Sequence, residues 1–250
     1  MTLHGSRNDL MKDIIWQSEE GNDRWVAEIF KFKRNGYFVE GGSTAGRNNS
    51  AIVLEKQFDW NGIAVNANRH HARVIKTKQR RKNVERAALW SSTGTVDFYE
   101  TQIGVIADTK LTFLGVPQDL SYSSFVVGSN TTNEEVADII EKGKKVKIPS
   151  ITLERLLKKY KAPPVIDYIG LDIEGSEYEV LRVFPFKKYK ILAMSIEMSE
   201  PCQQLLIDNG FTRVVNPYCP KSYEHHYVNN EILEDYPFEL YKEIDDDSQK

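Results

Sequence analysis

Short apolar segments alternate with amphipathic helical segments along this chain, and that alternation constrains the fold more than any other feature. Buried strands are predicted at residues 37–39, 62–65, 84–90, 165–173 and 191–196. Most segments between them place apolar residues at helical spacing, which is typical of βαβ units. The chain is therefore predicted to be an α/β protein with a mostly parallel sheet and helices on both faces. Residues 211–215 and 226–228 have no helix between them, which predicts an antiparallel C-terminal hairpin.

A single domain is predicted for the chain of 250 residues. Residues 1–35 are predicted to form an N-terminal helical extension, residues 36–232 the main domain and residues 233–250 an acidic tail. Residues 101–147 are polar and rich in turn residues, so we expect an insertion on the substrate side. A solvated insertion without a functional role is the alternative for this segment.

Charge and cysteine content argue against several classes of protein. Lys and Arg number 33 and Asp and Glu number 36, and the resulting net charge of −3 argues against general nucleic-acid binding. The basic stretch at residues 69–82 is predicted to be the solvated face of a helix. Cys202 and Cys219 provide neither a disulfide framework nor a paired zinc motif. The sequence has no apolar run long enough for a membrane span and no apolar leader, which predicts a cytoplasmic protein.

The predicted strand at residues 37–39 ends in a glycine-rich turn, EGGSTAG, at residues 40–46. Glycine lets the backbone pass close to a ligand, and the N-terminus of the next helix offers free N–H groups. Glu40 is placed to accept hydrogen bonds from a cationic or hydroxyl-bearing ligand. The spacing E-x-G-x-x-x-G differs from the dinucleotide motif G-x-G-x-x-G, and a purely structural turn is the alternative.

Two further strand ends carry polar side chains where open α/β sheets bind their ligands. Asn66 follows the second strand, at a place where nucleotide-binding folds often carry an acid for the ribose hydroxyls. Asp172 and Glu174 follow the strongest strand, and paired carboxylates serve as a general base or bind a divalent cation. A turn asparagine is the alternative for Asn66. A favourable charge at a helix N-terminus is the alternative for Glu174 and Glu177.

The segments VEGGSTAG (39–46), VNAN (65–68) and above all IDYIGLDIEGSEYEVL (166–181) resemble the FkbM family of S-adenosylmethionine-dependent methyltransferases. The resemblance runs from about Trp25 to about Asn229 and is most specific at D-x-E-G-x-E. It implies a Rossmann-like class I methyltransferase fold with a seven-stranded sheet. It also implies S-adenosylmethionine as cofactor and methyl transfer, usually to a hydroxyl oxygen of a sugar, a glycan or a small natural product.

The same resemblance implies roles for individual residues. It implies that the glycine-rich turn passes under the amino-acid part of the cofactor, that the end of the second strand faces the ribose, and that the end of the third lies beside the adenine. The cofactor-binding residues implied in this way are Glu40, Gly42, Ser43, Gly46, Asn66, Arg86 and Ala87. Asp172 is implied to face the methyl group.

Three carboxylates are candidates for the base that takes the hydroxyl proton of the acceptor. Asp172 is the first candidate, followed by Glu174 and by Glu197, which ends the strand at residues 191–196. A divalent cation held by Asp172 and Glu174 is an additional hypothesis.

Two departures from the common family pattern leave other functions open. Ser43-Thr44-Ala45 stands where the family commonly has Ala-Asn-Asp, and Asn66 stands where it commonly has an acid. Each change removes a carboxylate from the cofactor side. One alternative is a divergent protein of methyltransferase fold with weakened or lost cofactor binding, which acts as a binding or scaffold protein. Another is a different nucleotide-utilising enzyme of the same architecture.

Overall fold

The computed structural model of the protein describes residues 14–18, 20–44, 49–100, 125–126, 144–197, 199–219 and 224–241. Its α-helices are α1 (Asn22–Ile29), α2 (Ile52–Gln57), α3 (Arg69–Thr77), α4 (Leu153–Lys159), α5 (Glu177–Leu181) and α6 (Gln203–Asp208). Its strands are β1 (Tyr37–Gly41), β2 (Asn61–Val65), β3 (Val84–Glu85), β4 (Ala88–Leu89), β5 (Gly94–Glu100), β6 (Phe125–Val126), β7 (Lys144–Ile151), β8 (Val165–Leu171), β9 (Lys190–Glu197), β10 (Phe211–Val214) and β11 (Glu224–Asn229). Among the described helices, none combines the length and apolar character needed to cross a bilayer.

A seven-stranded sheet forms the centre of the protein, in the order β10-β11-β9-β8-β1-β2-β3. The pairs β1–β2, β1–β8, β2–β3 and β8–β9 are parallel, whereas β11 pairs antiparallel with both β9 and β10. This sheet confirms the predicted Rossmann-like fold with its C-terminal antiparallel hairpin. Because the parallel strands share one direction, the carboxyl ends of β1, β2, β8 and β9 meet at the same edge.

Alternate residues of β1 are buried on opposite faces of the sheet, as the period of a strand requires. Val39 belongs to the same core cluster as Leu156 of α4 and Leu206 of α6. Phe38 belongs to a second cluster with Trp25 of α1 and Leu54 of α2. Fully burying such an aliphatic or aromatic side chain contributes about 1.5–3 kcal/mol. Helices therefore cover both faces, as predicted.

A second sheet, in the order β4-β7-β5-β6, was not predicted. The single strand expected at residues 84–90 is wrong, because β3 and β4 belong to different sheets. β7 was missed because residues 101–147 were predicted to be a polar, turn-rich insertion, although Val146 and Ile148 are more buried than their immediate neighbours. β6 and the first residues of β7 are the described parts of the expected insertion at residues 101–147. The rest of that insertion lies outside the described residues.

The segment expected as an N-terminal extension contributes to the core. Residues 14–18 are not helical, and α1 begins after Gly21, whose φ is 66°. The indole N–H of Trp25 donates to the hydroxyl of Tyr236 at 3.0 Å, and that hydroxyl donates to the carbonyl of Val215 at 2.6 Å. The start of the acidic tail thus packs on α1 and the chain after β10. Residues 1–13 and 242–250 lie outside the described part.

Candidate functional site

A pocket opens at the carboxyl edge of the main sheet. β1 lies there between β2 and β8, so the strand order reverses at this point, which is where open α/β sheets bind their ligands. The pocket is lined by Gly42, Thr44, Val65, Asn66, Ala67, Asn68, His71, Ala87, Ala88, Leu89, Phe98, Asp172, Ile173, Glu174 and Ser176. Several residues predicted from sequence therefore come together in one cavity.

The glycine-rich turn approaches the end of β8 too closely for a side chain. Gly42 has a φ of +85°, and a Cβ built on it would lie 1.7 Å from the carbonyl oxygen of Asp172. The N–H of Asp172 donates to the carbonyl of Gly41 at 3.2 Å, and the N–H of Gly42 donates to the carbonyl of Val65 at 3.0 Å. Only glycine suits this position, which brings three strand ends together under the pocket.

Glu40 has a structural environment that sequence reasoning did not find. One of its carboxylate oxygens accepts from Nη1 of Arg81 at 2.9 Å, and the other accepts from the N–H of Ala51 at 3.0 Å. The Arg81 side chain is fully buried and also donates through Nε to Glu55. Glu40 therefore lies behind the turn and joins β1 to α2 and to the chain after α3. The pairing connects residues 41 positions apart, which no local pattern reveals.

Asn66 lines the pocket and is hydrogen-bonded to the glycine-rich turn. Its Nδ2 donates to the carbonyl of Ser43 at 2.8 Å, and its Oδ1 accepts from the N–H of Asn68 at 2.7 Å. Ser43 is buried and donates through its hydroxyl to Oδ1 of Asn49 at 2.8 Å. An amide suits this place because it offers a donor and an acceptor together, whereas an ionised carboxylate offers only acceptors.

One end of the pocket has apolar walls and a histidine. Ala87 is buried and lines this end together with Leu89 and Phe98, whereas Arg86 is exposed and lies outside the lining. His71, on the first turn of α3, also lines the pocket, and burial lowers its pKa to about 4. Local pattern does not distinguish His71 from its neighbour His70, because burial on the inner face of α3 depends on tertiary packing.

Carboxyl groups surround the other end of the pocket. Asp172 and Glu174 line it, and Glu174 has a φ of +57°, which costs a non-glycine residue about 1–3 kcal/mol. Glu197, at the end of β9, is hydrogen-bonded to Asp172. Burial, followed by the charges of Asp172 and Glu174, raises the pKa of Glu197 to about 11. Burial therefore favours the protonated form of the Glu197 carboxyl.

Two further buried acids lie next to this end. Glu177 accepts the N–H of Ile173 at 2.8 Å, and burial, with smaller effects from Asp172 and Glu174, raises its pKa to about 8. Glu224 is paired in the sheet with Glu197, and burial raises its pKa to about 8. Glu224 was missed from sequence because it reaches the site through the antiparallel hairpin.

Some predicted residues cannot be placed in the site. Ala45 and Gly46 lie outside the described residues, as does most of the segment expected to cover the substrate. Within the described residues, no group of three or more His, Cys, Asp or Glu side chains is arranged to hold a metal ion.

The sequence match to known families agrees with this geometry. The model of the FkbM methyltransferase domain matches residues 41–233, which include the turn, the pocket and the β8 end. A comparison with curated proteins gave no significant match. Because this match covers more than half of the chain, the chain belongs to the FkbM methyltransferase family.

Proposed function

We propose that the protein is an S-adenosylmethionine-dependent O-methyltransferase acting on a hydroxyl of a sugar, a glycan or a small natural product. The observation that carries this proposal is the pocket between the Gly42 turn and the β8 end, inside a domain of a methyltransferase family. Its lining changes from apolar at Ala87 and Phe98 to acidic at Asp172 and Glu174. That order matches a ligand with a flat aromatic ring at one end and positive charge at the other.

The residues present fit this cofactor. The absence of a Cβ at Gly42 leaves the turn's backbone open to the ligand. The hydroxyls of Thr44 and Ser176 line the pocket and have no hydrogen-bond partner within the described residues, so they are available to a polar ligand. Ala87 and Phe98 would enclose the adenine, whereas Asp172 would face the cationic part.

When bound, the cofactor supplies an electrophilic methyl group. The chain's own task is to hold the acceptor hydroxyl in line, to exclude water and to take the hydroxyl proton. We assign the proton to a carboxylate oxygen of Asp172. Glu197 is hydrogen-bonded to Asp172 and burial favours its protonated form, so we assign it the role of positioning that base rather than acting as the base itself.

Calorimetric titration with S-adenosylmethionine and S-adenosylhomocysteine tests the proposal first. We expect micromolar binding of at least one of them, and no binding of either at millimolar concentration would overturn the proposal.

An acceptor screen that measures the formation of S-adenosylhomocysteine tests the catalytic role of Asp172. In that assay Asp172→Asn should lower kcat by about 10²–10⁴-fold. The affinity of this variant for S-adenosylhomocysteine, which lacks the sulfonium charge, should change only a few fold. Asp208→Asn, on the exposed side of α6, is the matched control.

A second candidate is a binding or scaffold protein that has lost the cofactor. The observation that favours it is that Asn66 is hydrogen-bonded to Ser43 and Asn68. An amide therefore stands where the family commonly carries a carboxylate for the ribose hydroxyls. This candidate predicts no heat with either cofactor form and no thermal shift. The same titration therefore distinguishes the two functions.

A further inference from the structure

The outer side of α3 and the chain after it form a strongly basic surface. We call the side chains of its six exposed cations the basic face, which comprises Arg69, Arg73, Lys76, Lys78, Arg80 and Lys82. Residues 69–82 contain no Asp or Glu, although acids outnumber bases in the whole chain. Like charges held close together repel one another, so a partner of opposite charge would stabilise this surface.

Helical spacing brings three of these cations onto one side of α3. Arg69, Arg73 and Lys76 follow one another at intervals of four and three residues, so they are neighbours on the helix surface. The buried residues of α3 lie on another side, against the core. The row begins beside Asn68, which caps α3 and also lines the pocket. The basic face therefore reaches the rim of the pocket.

The chain after α3 is held in place through Arg81. The Arg81 side chain is fully buried and donates to Glu55, whose other carboxylate oxygen accepts the N–H of Lys82 at 3.0 Å. Nζ of Lys56 donates to the carbonyl of Arg80 at 3.0 Å. The side chains of Arg80 and Lys82 are exposed on this anchored backbone. Binding through them therefore needs no rearrangement of the chain.

The carboxylates of adjoining elements do not neutralise the basic face. Glu55 is paired with Arg81, and Glu85 is paired with Lys159. Glu100 accepts the backbone N–H at the start of α3 at 3.0 Å. Within the described residues, no carboxylate forms an ion pair with a side chain of the basic face. These cations are therefore available to an anionic partner.

The shape and composition of the basic face favour a lipid surface over a nucleic acid. Single-stranded nucleic acids bind in grooves whose exposed aromatic side chains stack on the bases. The basic face is the outer side of a helix, and none of the large exposed apolar or aromatic side chains of the described chain lies in residues 69–86. Clusters of about four to eight Lys or Arg side chains on a helix are typical of binding to anionic lipid headgroups.

We propose that the basic face binds an anionic membrane surface, with α3 lying along the headgroups and the pocket rim at Asn68 next to them. The basic face has no large exposed apolar side chain to insert between lipids. Attachment is therefore electrostatic and reversible, and it weakens as salt is added. This inference is independent of the proposed methyl transfer, because it requires neither the cofactor nor the acceptor.

Co-sedimentation of the full chain with lipid vesicles tests the proposal. The vesicles contain phosphatidylcholine alone or with about 30% phosphatidylglycerol, in about 50 mM or about 500 mM NaCl. We expect binding only to the anionic vesicles, and an affinity at least about tenfold lower in the higher salt.

Two triple variants show which cations are responsible. Arg69→Gln/Arg73→Gln/Lys76→Gln should weaken binding to the anionic vesicles by about 100-fold, because each cation near such a surface strengthens binding by about fivefold. Arg182→Gln/Lys187→Gln/Lys190→Gln removes three exposed cations near β9, on the other half of the main sheet, and changes the net charge equally. This control should bind within about threefold of the parent.

A double variant keeps the test informative if the α3 variant fails to fold, which circular dichroism would reveal. Lys78→Gln/Lys82→Gln, in the chain after α3, should weaken binding by about 20-fold. Failure of the parent to bind anionic vesicles would overturn the proposal, and so would equal losses in the α3 variant and the control. Tighter binding to duplex DNA than to vesicles of equal phosphate concentration would identify nucleic acid as the partner and would also overturn it.

Discussion

Single residues at the pocket are constrained by backbone contacts more than by their side-chain chemistry. Gly42 shows this most clearly, since its φ of +85° and the 1.7 Å approach to Asp172 both exclude a Cβ. Gly42→Ala should lower the free energy of unfolding by about 2–4 kcal/mol and weaken cofactor binding. Denaturant unfolding checks the first effect. Gly94→Ala is the control, because a Cβ at Gly94 meets nothing within 4 Å. Equal losses in the two variants would contradict this account of the turn.

Asn66 gives a second test at the same scale. Asn66→Asp keeps the acceptor for Asn68 but replaces the donor to Ser43 with an oxygen that faces a carbonyl. We expect a loss of about 1–2 kcal/mol in unfolding free energy at pH 7. The loss should be smaller at pH 4, where a protonated carboxyl regains a donor. Denaturant unfolding at both pH values measures the variant-minus-parent difference. Asn61→Asp at the exposed start of β2 serves as the control, and a larger loss at pH 4 would contradict the prediction.

Elements around the glycine-rich turn are held by a buried ion network. Arg81 joins Glu40 on β1 to Glu55 on α2, and all three side chains are at most 4% exposed. Arg81→Met would leave two buried carboxylates without their cation, so we expect a loss of about 3–5 kcal/mol in thermal or denaturant unfolding. Lys82→Ala, whose side chain is exposed, should cost less than about 0.5 kcal/mol. A loss for Arg81→Met as small as that of Lys82→Ala would show that the network contributes little.

How far the sequence predicts the fold also depends on the element. β1, β2, β8 and β9 are buried apolar runs, and their positions were predicted because each run ends at a turn or a helix start. β7 was missed because its inward residues alternate with lysines and a proline on an exposed face. In the site, the strand-end residues Asn66 and Asp172 were predicted from local pattern. The role of Glu40 was not, because its partner Arg81 is distant in sequence.

At the scale of the whole molecule, Asn22 of α1 is hydrogen-bonded to two titratable residues of the C-terminal hairpin, Glu224 and His226. The pKa values of these two residues are shifted in opposite directions. Nδ2 of Asn22 donates to Glu224, and Oδ1 of Asn22 lies 2.7 Å from Nε2 of His226, which donates to it in the neutral form. Burial raises the pKa of Glu224 from 4.5 to about 8, with a smaller contribution from the charge of Asp172. Burial also lowers the pKa of His226 from 6.5 to about 3, with smaller contributions from His225 and Arg213.

These shifts predict a stability plateau with a decline on each side. Between pH 4.5 and 6.5 the unfolded chain holds a proton on His226 that the folded protein lacks, and the folded protein holds a proton on Glu224 that the unfolded chain lacks. Their contributions to the pH dependence of stability therefore cancel. As the pH rises from 6.5 through about 8, only the folded state holds the Glu224 proton, so stability falls. As the pH falls from 4.5 through about 3, only the unfolded state binds the His226 proton, and stability falls again. Each slope is at most about 1.4 kcal/mol per pH unit for one group.

Substitutions that remove one titration at a time test this prediction by denaturant unfolding between pH 3 and 8.5. Glu224→Gln should flatten the alkaline decline, and His226→Gln should flatten the acidic one. His71 and Glu177 have shifts in the same two directions, so the informative quantity is the difference between variant and parent at each pH. Glu234→Gln, at an exposed position near the C-terminal end of the described chain, should reproduce the parent profile. If Glu224→Gln left the alkaline slope unchanged, the Glu224 carboxyl would be ionised in the folded protein, and Asn22 would then join α1 to a buried charge.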